Sequence, residues 1–307
     1  MSGLLVVGDV VTDIVARHRT PLAPATDTAA EIRRLPGGAG ANAACWAARS
    51  GCASVTLLGR VGTDEAAWHD GQLRWAGVRP LLVPDGEAGT ATVISLVDAD
   101  AERTFLTDSG AALRLTPADW SDAFLDGMAR LHLSGYLFFA ESSRAAALRA
   151  MRGAREAGIP VSVDPASAGF LKQWGAERFL AAAHGVEALF PNADEALLLT
   201  GCADPTEAAR TLSRTFPLVA VTLGAGGALV AEAGAVTGQV PAPDVTPVDS
   251  TGAGDAFAGT FLAALLAGAP PLEAAEAGCR AGAEAVTVVG GRPRPAGPWP
   301  DAEARAR

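Results

Sequence analysis

The sequence holds a single lysine, Lys172, among 24 basic and 34 acidic residues. That scarcity excludes the P-loop, whose lysine must follow a glycine loop and reach the β- and γ-phosphates. It also leaves Schiff-base chemistry with one candidate amine. The net charge of -10 argues against nucleic acid or an anionic membrane as partner, since both are polyanions. Cys45, Cys52, Cys202 and Cys279 form no CxxC pair and stand near no histidine doublet, so neither a zinc site nor a redox dithiol is expected. His18, His69, His132 and His184 share no metal-binding spacing, and histidine catalysis is not expected, although His132 in the apolar LHLSGY is a candidate neighbour of a substrate. The longest apolar stretch, 257–269, falls well short of the roughly 20 residues of a spanning helix, and MSGLLVVGDV has no basic n-region of a signal peptide. A soluble, cytoplasmic protein is the expectation.

What is abundant is glycine, 35 of 307 residues, which points to tight turns or close backbone approach to a ligand. Short Val, Ile and Leu runs at 4–8, 55–59, 130–134, 160–164, 188–191 and 218–223 predict strands buried on both faces. Between them, helices are predicted at 41–50, 64–76, 141–157, 176–184, 194–200, 205–216, 255–267 and 271–286. The alternation predicts one α/β domain over 1–307, a doubly wound three-layer α/β/α sandwich. Two regions depart from it. Residues 10–34 carry no helical pattern, and 81–107 read as strands (LLVPDG, TATVISLVDAD, RTFLTD). Together they predict a small β-stranded lid over a substrate site, or a pairing surface for a second copy. Trp46, Trp68 and Trp75 are expected in the core, and 290–307, rich in Pro, Gly and Arg, on the surface.

The segment that carries most chemistry is DSTGAGDAF, residues 249–257, followed by the apolar AGTFLAALLAG. Gly252 and Gly254 at the mouth of a helix would leave successive N–H groups, including those of Ala253 and Asp255, facing outward where the helix dipole favours an anion. This is a phosphate cradle without lysine. Asp255 would repel a phosphate, but an acid there suits the removal of a proton from a hydroxyl that attacks one; the plain alternative is a helix cap. A second turn, PGGAGAN at 36–42, would let a polyol approach the backbone at Gly37 and Gly38, with Asn42 offering its amide. It is not a dinucleotide fingerprint, because the first strand ends near Gly8, almost 30 residues earlier.

DSTGAGDAFAGTFL resembles the C-terminal signature, and GGAGANAACWAARSG the N-terminal signature, of the PfkB or ribokinase-like family of carbohydrate and nucleoside kinases. The resemblance runs from VVGDVVTDIV to AVTVVGG. It implies ATP and Mg2+ as cofactors and a sugar or nucleoside as substrate. Asp13 would bind sugar hydroxyls, while Asp9 shapes the turn. In PNADE, Asn192 and Glu195 would organise magnesium, partly through water; the same spacing is also a helix capping box. VTLGAGG would place Thr222, Gly224 and Gly227 beside the nucleotide. Asp249 and Thr251, with carbonyls of 286–291, would hold a monovalent cation, usually K+. Cys279 falls where relatives often carry Asn or His beside adenine. Arg103, Phe138 and Glu141 are candidate substrate contacts, and a homodimer through the lid is implied.

The function expected is therefore phosphorylation of a hydroxyl on a sugar, sugar acid or nucleoside, pseudouridine among them, by an ATP-dependent kinase. A non-catalytic sugar or nucleotide sensor and a dinucleotide-dependent oxidoreductase are the rival classes; an intact Asp255 counts against the first.

Overall fold

The computed structural model describes residues 3–99 and 103–294. The first half runs β1 (Gly3–Val7), β2 (Val11–His18), β3 (Ala30–Gly37), α1 (Ala39–Arg49), β4 (Ser54–Gly62), α2 (Ala66–Trp75), β5 (Val78–Asp85), β6 (Ala91–Val97), β7 (Arg103–Asp108) and β8 (Met128–Ser134). It continues with α3 (Glu141–Glu156), β9 (Val161–Asp164), α4 (Ala168–Trp174), α5 (Ala176–Ala182), β10 (Ala188–Leu189), α6 (Ala193–Thr200) and α7 (Pro205–Leu212). The last elements are β11 (Leu218–Thr222), β12 (Ala228–Glu232), β13 (Ala235–Val240), α8 (Ala253–Leu266) and α9 (Pro271–Ala285).

A nine-stranded sheet in the order β13-β12-β11-β10-β9-β8-β1-β4-β5 forms the middle layer. It is parallel from β11 to β5, and β12 and β13 are antiparallel at one edge. Strand alternation sorts the core into two halves. Leu5 and Val7 pack with Ala146, Ala150, Leu171, Phe179 and Ala208 on the α3–α7 side. Leu4 and Val6 pack with Ala41, Leu73, Phe257, Phe261 and Ala274 on the α1, α2, α8 and α9 side. Burial on both faces explains why these strands read as continuous apolar runs. Helices α1 and α8 approach so closely that a Cβ on Gly259 would stand 2.2 Å from the Ala43 carbonyl oxygen. Among the described residues no helix is long and apolar enough to cross a membrane.

The lid is a separate four-stranded sheet in the order β3-β2-β6-β7. Its boundaries differ from those expected. Residues 81–85 belong to β5, paired in parallel with β4 over Val55–Gly62 and Val78–Asp85, so LLVPD extends the main sheet. The lid comes instead from β2, β3, β6 and β7. Beyond the predicted strands, β12 and β13 add the antiparallel edge. Two further expectations fail on burial. Trp75 is 37% exposed, whereas Trp46 is buried and donates its indole N–H to the Gly291 carbonyl at 2.9 Å. Gly290, Gly291, Arg292 and Pro293 are buried rather than on the surface, and Arg294 is exposed as expected; residues 295–307 of the expected tail lie outside the described residues.

Candidate active site

A cavity of about 500 Å3 opens outside the carboxyl ends of the central strands and beneath the lid, the place where open α/β sheets bind ligands. Asp9 after β1, Tyr136 after β8, Asp164 ending β9, Asn192 after β10 and Thr222 ending β11 all line it.

At one end stands the first turn of α8. Gly252 caps the helix at φ 76, and a Cβ there would lie 2.3 Å from the Cα of Gly291, so both the backbone conformation and the contact demand glycine. Ser250 to Asp255 line the cavity. First-turn N–H groups have no acceptor within their own helix, so this turn presents donors to whatever occupies the space. A Cβ on Gly254 would meet no protein atom within 4 Å; bare backbone there keeps the mouth of the cradle open. Asp255 does not cap its helix by side chain. It reaches across to α1, where the Asn42 amide donates to its Oδ2 at 2.8 Å. Burial and the neighbouring Asp164 push its carboxyl well above the usual range, the Asn42 hydrogen bond opposes them, and Asp9 and Asp13 add to the rise.

The glycine turn at α1 is built around Asp9, whose carboxylate accepts from the N–H groups of Ala39 (2.7 Å) and Gly40 (3.2 Å) and from the Ser134 hydroxyl (2.7 Å). It thus fixes the α1 N-terminus, as its expected turn-shaping role requires. Gly38 has φ 95 and packs its Cα against the Asp9 carbonyl. Gly37 lies beneath Asp13, close enough that a Cβ would fall 2.1 Å from Asp13 Oδ2. Asp13 lines the cavity. Burial raises its carboxyl to about 7, with Arg292 opposing and Asp9 and Asp249 adding to the rise.

Asn192 and Glu195 form a reciprocal capping box: Asn192 Oδ1 accepts from Glu195 N–H, and Glu195 Oε2 from Asn192 N–H, each at 2.9 Å. The other carboxylate oxygen, Glu195 Oε1, is buried without a hydrogen-bond partner on a residue that lines the cavity. Burial and Asp164 raise the Glu195 carboxyl. An unsatisfied buried carboxylate oxygen suits a hydrated magnesium ion. Among the described residues no cluster of three or more His, Cys, Asp or Glu side chains could hold a metal ion alone, so such an ion would complete its shell with phosphate and water, as Mg2+ commonly does.

Asp249 accepts from the N–H groups of Thr251 (2.9 Å) and Gly290 (3.0 Å), joining the loop before α8 to the segment after α9. That segment also binds α1 through Gly291 and the glycine turn through Arg292, whose Nη2 donates to the Gly37 carbonyl at 3.3 Å.

Several expected contacts are not brought to the cavity. Cys279 is buried in the core among the residues around Phe257. Gly224 and Gly227 form the β11–β12 turn beyond the wall, where Gly227 (φ 86) passes so close to Val240 that a Cβ would sit 1.9 Å from its carbonyl oxygen. Thr222 alone of that motif reaches the cavity. Phe138 is fully buried against Phe179, and Glu141 is exposed at the start of α3. His132 is buried against Ser162, so it is a core residue. Arg103 opens β7, and its expected substrate contact falls outside the described residues.

Asp164, not singled out in the sequence, stands with Asp255 and Glu195 on the wall. Burial raises its carboxyl, the Ala166 N–H opposes and Asp9 reinforces. Its one local signal was an acid ending a predicted strand, VSVD.

A model of the pfkB family carbohydrate kinase matches residues 1–296. A fructokinase from Klebsiella pneumoniae is 33% identical over 281 residues, 87% of this chain and 86% of that one. The adenosine kinase structure from Sinorhizobium meliloti superposes with TM-score 0.87 at 25% identity over 100% of this chain and 99% of that one. Aminoimidazole riboside kinase from Salmonella enterica, complexed with aminoimidazole riboside and an ATP analog, gives 0.78 at 28% identity, covering 97% of each chain.

Proposed function

The chain belongs to the pfkB family of carbohydrate kinases, and from that premise we propose that it transfers the γ-phosphoryl group of ATP to a hydroxyl of a sugar or sugar derivative. The observation that carries this reading is Asp255, a carboxylate held by Asn42 at the mouth of a lysine-free cradle of helix N–H groups. Asp13 and Asn42 orient the acceptor, placing one hydroxyl beside Asp255. Asp255 takes its proton as the oxygen attacks the γ-phosphorus and the bond to the β-phosphate oxygen breaks, releasing ADP. The N–H groups of Gly252 to Asp255 meet the charge that grows on the transferring group; they are oriented beforehand by the helix, so little reorganisation is needed. Magnesium bound near Asn192 and Glu195 would neutralise phosphate charge and help align the leaving group.

Asp249, Thr251 and the carbonyls of 286–291 supply oxygens suited to potassium, and activity in K+ compared with tetramethylammonium tests that site. The open edges of the lid, with Ile32 61% and Leu106 55% exposed, support a homodimer through the lid; a monomer by light scattering at micromolar concentration overturns it. For the reaction itself, Asp255→Asn is expected to lower turnover in a coupled ADP-release assay by about 10²–10⁴-fold, with ATP binding retained. Turnover within tenfold of the parent removes Asp255 as base.

A further inference from the structure

We propose that Arg292 is a positioning residue for the acceptor, serving Asp13 as a counter-ion from behind the glycine turn and leaving both carboxylate oxygens to the acceptor's hydroxyls. The acceptor-binding role of Asp13 rests on the kinase reading; the pairing of the two charges does not.

Arg292 is 6% exposed. Its Nη2 donates to the Gly37 carbonyl at 3.3 Å, while Nε and Nη1 are buried with no hydrogen-bond partner, and among the described residues it forms no ion pair. A desolvated guanidinium is costly unless an opposite charge lies close enough to repay it. Cys45, His69 and Asp13 all feel its charge. Burial pushes the Cys45 thiol up and the His69 ring down to about 3, so both are neutral near pH 7. Asp13 is the one of the three that can answer as an anion.

The link between the two charges runs through a single residue. Asp13 on β2 pairs with Leu35 on β3, and Val11 with Gly37, so Asp13 lies diagonally across from Gly37 on one face of the lid sheet. A Cβ on Gly37 would fall 2.1 Å from Asp13 Oδ2. The carboxylate thus rests on the bare backbone of the very residue whose carbonyl Arg292 holds. Asp13 lines the cavity and Arg292 does not, so cation and anion stand on opposite sides of the turn. Among the described residues no protein donor engages the Asp13 carboxylate. A direct salt bridge would occupy its oxygens, as the N–H groups of Thr251 and Gly290 occupy those of Asp249. Hydrogen bonds accepted by an ionised carboxylate are roughly twice as strong as neutral ones, so two open oxygens on a charged Asp13 grip a pair of hydroxyls. The remaining charges facing Asp13 are all acidic: Asp9 from the turn after β1, Asp249 from the loop before α8 and Asp255 from α8. Its strand neighbours Leu35 and Val93 carry no charge. Arg292 is the cation that opposes them. It also orients a donor: a trans peptide points its C=O and N–H in opposite directions, so holding the Gly37 carbonyl from behind turns the Gly38 N–H toward the cavity, which Gly38 lines.

The experiment has two arms. In the ligand-free protein, the carbon-13-labelled Asp13 carboxyl, assigned by its loss in Asp13→Asn, is titrated by NMR, and its midpoint should lie at about 7. Arg292→Gln and Arg292→Met, two neutral variants checked for folding by circular dichroism, should raise that midpoint by about one unit or more. Arg292→Lys keeps the charge and should leave it in place. Trp46→Phe, which cuts the neighbouring bond to Gly291 and loosens the same segment, should leave it in place too. The second arm measures coupled ADP release with fructose, ribose and adenosine and follows the acceptor that the parent uses best. At pH 7 the neutral variants should raise the KM for that acceptor about fivefold or more, because a one-unit rise from 7 cuts the ionised share of Asp13 that far. Their kcat at saturating acceptor should stay within about twofold, the mark of a binding role, and Arg292→Lys should restore the KM. A midpoint unmoved in the neutral variants, one moved as far by Trp46→Phe, or a loss confined to kcat overturns the proposal and leaves the kinase reading standing. A moved midpoint in a protein whose parent releases ADP with none of the three acceptors upholds the pairing of charges and counts against the kinase reading.

Discussion

Replacing Asn42 by alanine removes the hydrogen bond that favours the charged form of Asp255. The amide donates to Asp255 Oδ2 at 2.8 Å inside the cavity, and it works against burial and against Asp164, Asp9 and Asp13, all of which favour the protonated acid. A hydrogen bond to a charged group contributes about 1.5–3 kcal/mol, and one pKa unit corresponds to about 1.4 kcal/mol. Losing it should therefore move the Asp255 titration upward by about one to two units. Because the base is active only when ionised, the acid limb of kcat should shift alkaline by that amount. On that limb, turnover should fall about 10- to 100-fold and recover as the pH is raised. The assay is kcat at saturating acceptor and ATP across pH 6–10, with folding checked by circular dichroism. A limb that stays in place, or a loss equal at every pH, would show that Asn42 acts by some other route than the protonation of Asp255.

Other expectations follow from the same cavity. Burial holds the Asp13 carboxyl at about 7 and raises those of Asp164, Glu195 and Asp255, whereas in the unfolded chain such groups titrate near 4. The folded protein then binds more protons than the unfolded chain between about pH 4 and 7, so stability declines as pH rises through that window; the Tm of the ligand-free protein should fall from pH 5.5 to 8.5, and a rise refutes the assignment. Glu195→Gln should increase the magnesium concentration needed for half-maximal activity by tenfold or more, since it removes the charge on the unsatisfied Oε1; an unchanged requirement places the ion elsewhere. Gly259→Ala forces a methyl to within 2.2 Å of the Ala43 carbonyl and should cost about 1–3 kcal/mol in denaturant unfolding, typical of overpacking.

The parallel strands other than β5 were legible because they are buried on both faces and spell largely apolar runs. Strands β12 and β13 were not: ALVAE passes equally for a helical segment, and AVTGQV on the sheet edge is half-exposed along its length. LLVPD read as lid because a lone apolar run says nothing about which sheet it joins; its pairing with β4 decides that. In the site, the two glycine-rich turns stood out because their spacing is tied to backbone geometry. Asp164 had no motif around it, and it matters only through neighbours distant in the chain. Cys279 shows the converse, a position inferred from resemblance that the packing of α9 turns into the core. The segment 290–292 looked like a tail by composition; its burial comes from Asp249, Trp46 and Gly37, partners 41 to 255 residues away.

That three-residue clasp has a bearing on how the enzyme comes into being. During synthesis, Gly37, Asn42 and the α8 cradle all leave the ribosome before Gly290 to Arg292 do, and nearly the whole sandwich can assemble while the clasp is still missing. Closing a contact across 255 residues is entropically costly and comes late in folding. A nascent chain should thus remain without a competent phosphoryl-transfer centre until Gly290 to Arg292 have been made, and messages cut short before codon 290 should yield proteins that fold in part yet do not hydrolyse or transfer from ATP.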